Sequence, residues 1–314
     1  MSAARKPAIL VLSPYMRSFA PELAGEFDLL DRDEATGAEA ERVVAIITTG
    51  GTQDAVPASL MDRLPNLRMI ANLGSGLSPI DLDAARTRGV VVTRGATTHG
   101  DQVADHAVLL ALAAWQDLFE LDRMSRAGEW RQGQFPPTRR SLTRARVGIV
   151  GMGVIGQEIA HKLAPICPDI RWWAPRPQDL AWPRAASLAE LADWCDILIL
   201  AARGDRAIGH LITAQVIDAI GPRGIFVNVA RGYLVDEDAL IAALRSGRLR
   251  GAALDVFAQE PIDAARWKDV PGTILTPHCA GATDLGMERA RDQLIHNLRS
   301  LITGEPPRGL VAGP

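Results

Sequence analysis

Short apolar runs recur through the first hundred residues: AILVL from Ala8, VVAIITT from Val43, LRMIANLG from Leu67 and GVVVT from Gly89. Polar, helix-like stretches separate them, and that alternation predicts βαβ units and a parallel sheet. The stretch from Gly100 to Trp130 holds no proline. Gly100-Asp101 supplies an N-cap there, and apolar residues from Val103 to Leu118 predict one long helix. A helix that apolar must be buried in a core or against another subunit. The segment RQGQFPPTRRSLTRA, from Arg131 to Ala145, reads as a loop. A second α/β pattern opens at RVGIVGMGVIG, from Arg146. It continues through IRWWA, DILILAA, GIFVNVA, GAALDVF and TILTP. Strands alternating with helices in this way make a doubly wound sheet. The tail MERARDQLIHNLRSLITG reads as an amphipathic helix, and EPPRGLV as a loop returning to the surface.

The expected fold is therefore α/β, with two doubly wound parallel-sheet domains. A Rossmann dinucleotide-binding domain (98–284) is inserted into a flavodoxin-like substrate-binding domain (1–97 and 285–314). Composition narrows the function classes. A formal charge of -3 gives no basic footprint, which argues against nucleic acid as a partner. Cys167, Cys195 and Cys279 show no metal-ligand spacing and no disulfide framework, and they fit a reducing cytoplasm. The N-terminal apolar run is too short for a signal peptide. No run approaches the roughly 20 residues that span a membrane. A cytoplasmic protein without membrane or metal partners is expected.

The turn VGMGVIG carries the first chemistry. Gly151, Gly153 and Gly156 follow a strand and open a helix, the context that a GxGxxG turn needs to bind a dinucleotide. Gly151 permits the tight turn, Gly153 lets backbone approach a pyrophosphate, and Gly156 allows close helix–strand packing. Val154 and Ile155 then lie in the first helical turn, where N–H groups and the helix dipole favour phosphate. The next strand ends in Ala174-Pro175-Arg176, and no carboxylate lies between Asp169 and Asp179. An acid there would bind a ribose 2′-hydroxyl, whereas an arginine without an acid suits a 2′-phosphate. NADP(H) is accordingly expected over NAD(H).

Three later strands each end in a chemically capable residue: Arg231 after GIFVNVA, Glu260 after GAALDVF, and His278 after TILTP. Arginine clamps a carboxylate bidentately and polarises an adjacent carbonyl. Histidine delivers a proton near neutral pH, and a neighbouring carboxylate favours its charged form. Together with a hydride carrier, these groups are what reduction of a 2-keto acid requires.

At this point the sequence resembles the D-isomer-specific 2-hydroxyacid dehydrogenase family. The likeness runs through SGLSPIDLDAARTRGVVVT, VADHAVLLALA, VGIVGMGVIG, NVARGYLVDEDAL, GAALDVFAQEP and TPHCAGAT, in that order. It is strongest toward the NADP-dependent glyoxylate/hydroxypyruvate reductases. The resemblance implies that Arg231, Glu260 and His278 form the catalytic set. It implies that Ser75, Gly76 and Leu77 bind the substrate carboxylate through their backbone. It places Asp255 near the nicotinamide carboxamide, with Val103, Ala230 and Gly281 also lining the cofactor site. It implies a homodimer, with the helix around Val103–Leu118 and the following loop at the interface. The chain departs from the family at Ser78-Pro79, where Asp-Asn is common, and at Ala96-Thr97, where Pro-Gly is usual. Arg203 stands where proline is common, close to the expected cofactor phosphates. An NAD-linked dehydrogenase of another D-2-hydroxy acid, and a non-catalytic cofactor sensor, are the alternatives.

Several chemical-looking residues have plainer readings. Asp236, Glu237 and Asp238 open a helix, where acids complement the dipole. His106 reads as packed or interfacial, and His161, His210 and His296 as structural or exposed. His99, just before the long helix, is a possible ligand contact. Trp172 and Trp173 alternate across one strand as core residues. No His/Cys/Asp cluster shows metal-ligand spacing.

Overall fold

The computed structural model describes residues 5–19, 21–74, 76–77, 79–95, 100–131, 133, 135, 137–204 and 209–312. Two compact units emerge: Met1–His99 with Asp284–Pro314, and Gly100–Thr283.

In the first unit the strands are β1 (Ala8–Val11), β2 (Asp28–Leu30), β3 (Val43–Thr48), β4 (Met69–Asn72) and β5 (Val91–Arg94). The second unit holds β6 (Arg146–Val150), β7 (Asp169–Trp173), β8 (Ile197–Leu200), β9 (Ile225–Asn228), β10 (Gly251–Leu254) and β11 (Thr273–Leu275). The chain returns to the first sheet as β12 (Leu310–Ala312).

The first sheet has the order β12-β5-β4-β3-β1-β2. Its strands are parallel except β12, which pairs antiparallel with β5. The sequence EPPRGLV, expected to be loop throughout, thus ends as an edge strand. β1 and β4 are buried at every position, as strands covered on both faces must be. One face packs on Leu10, Ile46, Leu60, Ile70 and Val92, the other on Ile9, Phe27, Ile47, Met69 and the tail helix Asp284–Thr303. That helix contributes Leu294, Ile295 and Leu298, so the C-terminal segment completes the core of the N-terminal one.

The second sheet has the order β11-β10-β9-β8-β6-β7 and is parallel throughout. Its order reverses between β6 and β8, the switch point where sheets of this kind bind ligands. The helix Gly100–Trp115 covers one face through Leu110 and through Ala104, Ala107 and Ala111, whose small side chains let it approach the sheet closely. It stops earlier than its apolar pattern predicts. Asp117 turns left-handed (φ 50°), and a separate helix runs over Leu118–Arg126. Asp117 is held there by ion pairs with Arg139 and Arg250, while the Arg140 guanidinium stacks 3.6 Å from the Trp115 ring centre. The loop after the helix is thereby folded back onto Trp115. Trp172 and Trp173 do alternate, Trp172 into this face and Trp173 toward the opposite one. Among the described residues, no helix is long and apolar enough to cross a membrane.

Candidate active site

All the glycine-rich chemistry sits at the C-terminal end of β6. Gly151 has φ +95°, and a Cβ there would meet the Ala202 backbone at 2.5 Å. Gly156 lies against the Gly151 carbonyl, where a Cβ would come within 2.0 Å. Both positions therefore exclude any side chain. Gly153 differs, because a Cβ there would meet nothing within 4 Å. Backbone is consequently open to solvent at the N-cap of the helix Val154–Leu163, whose first amides have no partner inside the helix. Val154 is exposed and Ile155 half-buried at that end. An anionic pyrophosphate fits this cradle.

At the end of β9, buried Asn228 shapes the turn that presents Arg231. Its Oδ1 accepts the Ala230 N–H at 3.0 Å and its Nδ2 donates to the Arg231 carbonyl at 3.3 Å. Arg231 is half-buried, and its Nη1 donates to the Ala230 carbonyl at 2.6 Å. The next residue, Gly232, lies directly on the chain that leaves β10. A Cβ on Gly232 would fall 1.8 Å from the Phe257 carbonyl carbon and 2.3 Å from the Ala258 nitrogen. The Arg231 and Glu260 loops therefore touch backbone to backbone.

Glu260 faces His278 with Oε2 2.7 Å from Nδ1. Its Oε1 accepts the Phe257 N–H at 3.0 Å. Burial pushes the Glu260 carboxyl up, but His278, the Phe257 amide and the Arg231 charge outweigh it and hold the group below the ordinary carboxylate range. His278 adopts a left-handed backbone (φ 51°), a conformation that histidine tolerates better than most side chains. With Nδ1 engaged by Glu260, Nε2 is the ring nitrogen left for a ligand.

The turn that carries His278 is tied down by Asp255, at the end of β10. Asp255 is 1% exposed. Its Oδ1 accepts the Cys279 N–H (2.9 Å) and the Thr276 hydroxyl (2.6 Å), and its Oδ2 accepts the Ala280 N–H (3.0 Å). Because Thr276 gives its proton to Asp255, its oxygen accepts from His106 Nε2 at 3.0 Å. Burial disfavours the Asp255 charge, yet these donors hold its carboxyl below the usual range.

The chain is similar to known proteins. Residues 108–280 match the family model described as D-isomer specific 2-hydroxyacid dehydrogenase, NAD binding domain. A 2-ketogluconate reductase of Gluconobacter oxydans is 37% identical over 95% of this chain and 96% of its own length. The chain belongs to the D-isomer-specific 2-hydroxyacid dehydrogenase family. It is an NAD(P)-dependent enzyme of that family. A glyoxylate/hydroxypyruvate reductase A of Arabidopsis thaliana is 33% identical over 95% of this dehydrogenase and 96% of its own length. A solved 2-hydroxyacid dehydrogenase from Ketogulonicigenium vulgare superposes with TM-score 0.89 at 33% identity, covering 98% of this chain and 99% of that one. A solved NADPH-dependent glyoxylate/hydroxypyruvate reductase from Sinorhizobium meliloti, in complex with NADP and malonate, gives TM-score 0.85 at 31% identity, covering 98% and 97%.

Other expected site residues of this dehydrogenase lie as follows. Val103 is half-buried in the helix Gly100–Trp115, Ala230 is buried behind Arg231, and Gly281 is half-buried in the turn after His278. Arg176 is exposed two residues past buried Ala174, and Arg203 is exposed just after β8. Arg184, which the sequence pattern did not single out, donates to the Ala174 carbonyl at 2.9 Å and so closes the end of β7. In the first unit, buried Asn72 donates to the carbonyls of Gly74 (3.0 Å) and Gly76 (2.7 Å), and so shapes the loop before half-buried Leu77. Ser75, Ser78, Ala96, Thr97 and His99 lie outside the described residues. His106, Asp255 and Cys279 come within 4.8 Å of one another, a proximity that their sequence spacing conceals. Asp255 differs from a group offered to a ligand, since both its oxygens are taken by protein donors.

Proposed function

We propose that this enzyme reduces small 2-keto acids to D-2-hydroxy acids with NADPH, glyoxylate and hydroxypyruvate foremost. The observation that carries the reading is the Glu260–His278 pair at 2.7 Å beside Arg231, on the sheet edge that also bears the glycine turn. Gly151, Gly153, Val154, Ile155 and Gly156 would hold the cofactor pyrophosphate, with Val103, Ala230 and Gly281 nearby. Bound there, reduced nicotinamide dinucleotide supplies the hydride. Arg231 clamps the substrate carboxylate and polarises the keto oxygen. His278 delivers its Nε2 proton to that oxygen as negative charge develops. Glu260 fixes the ring through Nδ1. The family resemblance adds backbone groups of Ser75, Gly76 and Leu77 as binders of the substrate carboxylate, within a substrate-binding domain read as residues 1–97 and 285–314. Asp255 contributes through the turn that it holds.

NADP(H) is favoured over NAD(H) because β7 ends without a carboxylate and continues into Arg176, with Arg203 a second cation. The Sinorhizobium meliloti relative, NADPH-dependent by name, supports the same choice. A homodimer fits the apolar side chains left exposed at Leu109, Leu118, Phe119 and Trp130, since exposed patches of this kind mark interfaces. The test is initial rates of NADPH and NADH oxidation with glyoxylate, hydroxypyruvate, pyruvate and 2-ketogluconate. Faster turnover with NADPH and a small keto acid is expected. No oxidation with any of them would leave the cofactor-sensor reading in its place.

A further inference from the structure

We infer that Glu237 is a positioning residue for the catalytic pair: it docks the loop that bears Glu260 against the segment that bears Arg231. The inference rests on the reductase reading above for its kinetic consequences, though not for its geometry. Glu237 stands beside two acids that account for the ordinary needs of a helix start. Asp236 caps the helix Glu237–Arg245 by accepting the Ala239 N–H at 3.0 Å, and Asp238 is 90% exposed at its first turn. Glu237 is instead 9% exposed and folded inward. Its Oε1 accepts the Ala258 N–H, and its Oε2 lies 3.6 Å from Arg266.

Two consecutive amides of one loop are thus taken by two different carboxylates, Phe257 by Glu260 and Ala258 by Glu237. Gly232 supplies the seat, because only a residue without a side chain lets the two backbones meet there. Phe257 anchors the loop from below, buried 5.9 Å from the Trp267 ring. Arg231, Gly232 and Glu237 lie within seven residues. One short segment therefore presents the carboxylate clamp and also sets where Glu260 stands. Helix dipole and surface solvation do not require a buried acid, whereas a docking role does. Burial, together with the Asp238 and Glu260 charges, raises the Glu237 carboxyl above its ordinary value, against the pull of the Ala258 amide and Arg266.

The test compares Glu237→Ala and Glu237→Gln with the full-length wild type. Glutamine keeps an acceptor for the Ala258 amide and removes the charge, whereas alanine removes both. Glu260 faces His278, Arg231 and the Phe257 amide, which together hold its carboxyl low. Undocking in the alanine variant should raise the Glu260 value toward the ordinary one, so the acid limb of kcat/KM moves up in pH. In the glutamine variant docking survives and a like charge is lost, so the acid limb stays or moves down. The kcat of the alanine variant should fall by about tenfold or more, with KM for NADPH within about twofold and glutamine restoring most of the loss. Amide exchange at Ala258, read without substrate, should speed up in the alanine variant alone. Parallel behaviour of the two variants, or unchanged Ala258 exchange in the alanine variant, would overturn the inference. If the wild type reduces no 2-keto acid, the proposed activity falls while the exchange rates still decide the docking.

Discussion

At the residue scale the candidate site has donors and acceptors already committed before a ligand arrives. Glu260 uses one oxygen on His278 and the other on the Phe257 amide, so the ring has one orientation and one free nitrogen. In the proposed reading Arg231 is matched to its task by shape: its planar fork fits a carboxylate, which lysine meets as a point charge. Arg231→Lys should therefore lower kcat/KM for the keto acid by about 10- to 100-fold, with cofactor affinity little changed. Steady-state kinetics with a direct cofactor titration separate the two effects. The places of the three residues in the fold were legible from sequence because each follows an apolar strand of the parallel sheet, buried β9 and β10 for Arg231 and Glu260 and half-buried β11 for His278. Asn228, Gly232 and Glu237 were not, because their roles depend on which loops meet. Glu237 in particular resembles its acidic neighbours in the chain and differs only in being buried.

At the element scale the TPHCAGAT turn is an appendage of β10 as much as of β11. Asp255 grips the amides of Cys279 and Ala280 and the Thr276 hydroxyl, and so fixes the turn on which His278 sits. Asp255→Asn replaces an acceptor by a donor facing another donor, and should destabilise the domain by about 1–3 kcal/mol at pH 7. The sign with pH follows from the lowered carboxyl of the folded state. That stabilisation is present above the unfolded value, near 4. It is lost as pH falls through the lower folded value. Thermal unfolding should show the wild-type advantage at pH 7 shrinking toward pH 3. An advantage of constant size would count against the hub role. Strand positions were readable in advance because central parallel strands are continuously apolar. β2, a three-residue edge strand flanked by acids, and β12, following two prolines, lack that signature. The helix break at Asp117 was hidden because the apolar pattern runs on to Leu118, while the ion pairs that stop the helix come from Arg139 and Arg250.

At the scale of the whole molecule, the order of the parts follows from one chain crossing twice between two sheets. The glycine turn, Arg231, Glu260 and His278 all lie in Gly100–Thr283, at the C-terminal ends of its strands. The turn's motif was legible, and its structural reading adds which glycines are sterically obligatory: Gly151 and Gly156 are, by contact, whereas a Cβ at Gly153 would meet nothing within 4 Å. Cofactor choice belongs to this scale, because it depends on the charge around the end of β7. Arg176→Glu should lower the NADPH:NADH ratio of kcat/KM by about tenfold or more, since a carboxylate repels a 2′-phosphate and accepts a ribose hydroxyl. An unchanged ratio would place the discrimination elsewhere. The central claim is that His278 protonates a keto acid during hydride transfer. It is tested most directly by the kcat of His278→Asn with hydroxypyruvate at saturating NADPH, asparagine being chosen because it tolerates the same left-handed backbone. A fall of about 10²- to 10⁴-fold with cofactor binding intact is expected; a kcat close to that of the wild type would contradict the account.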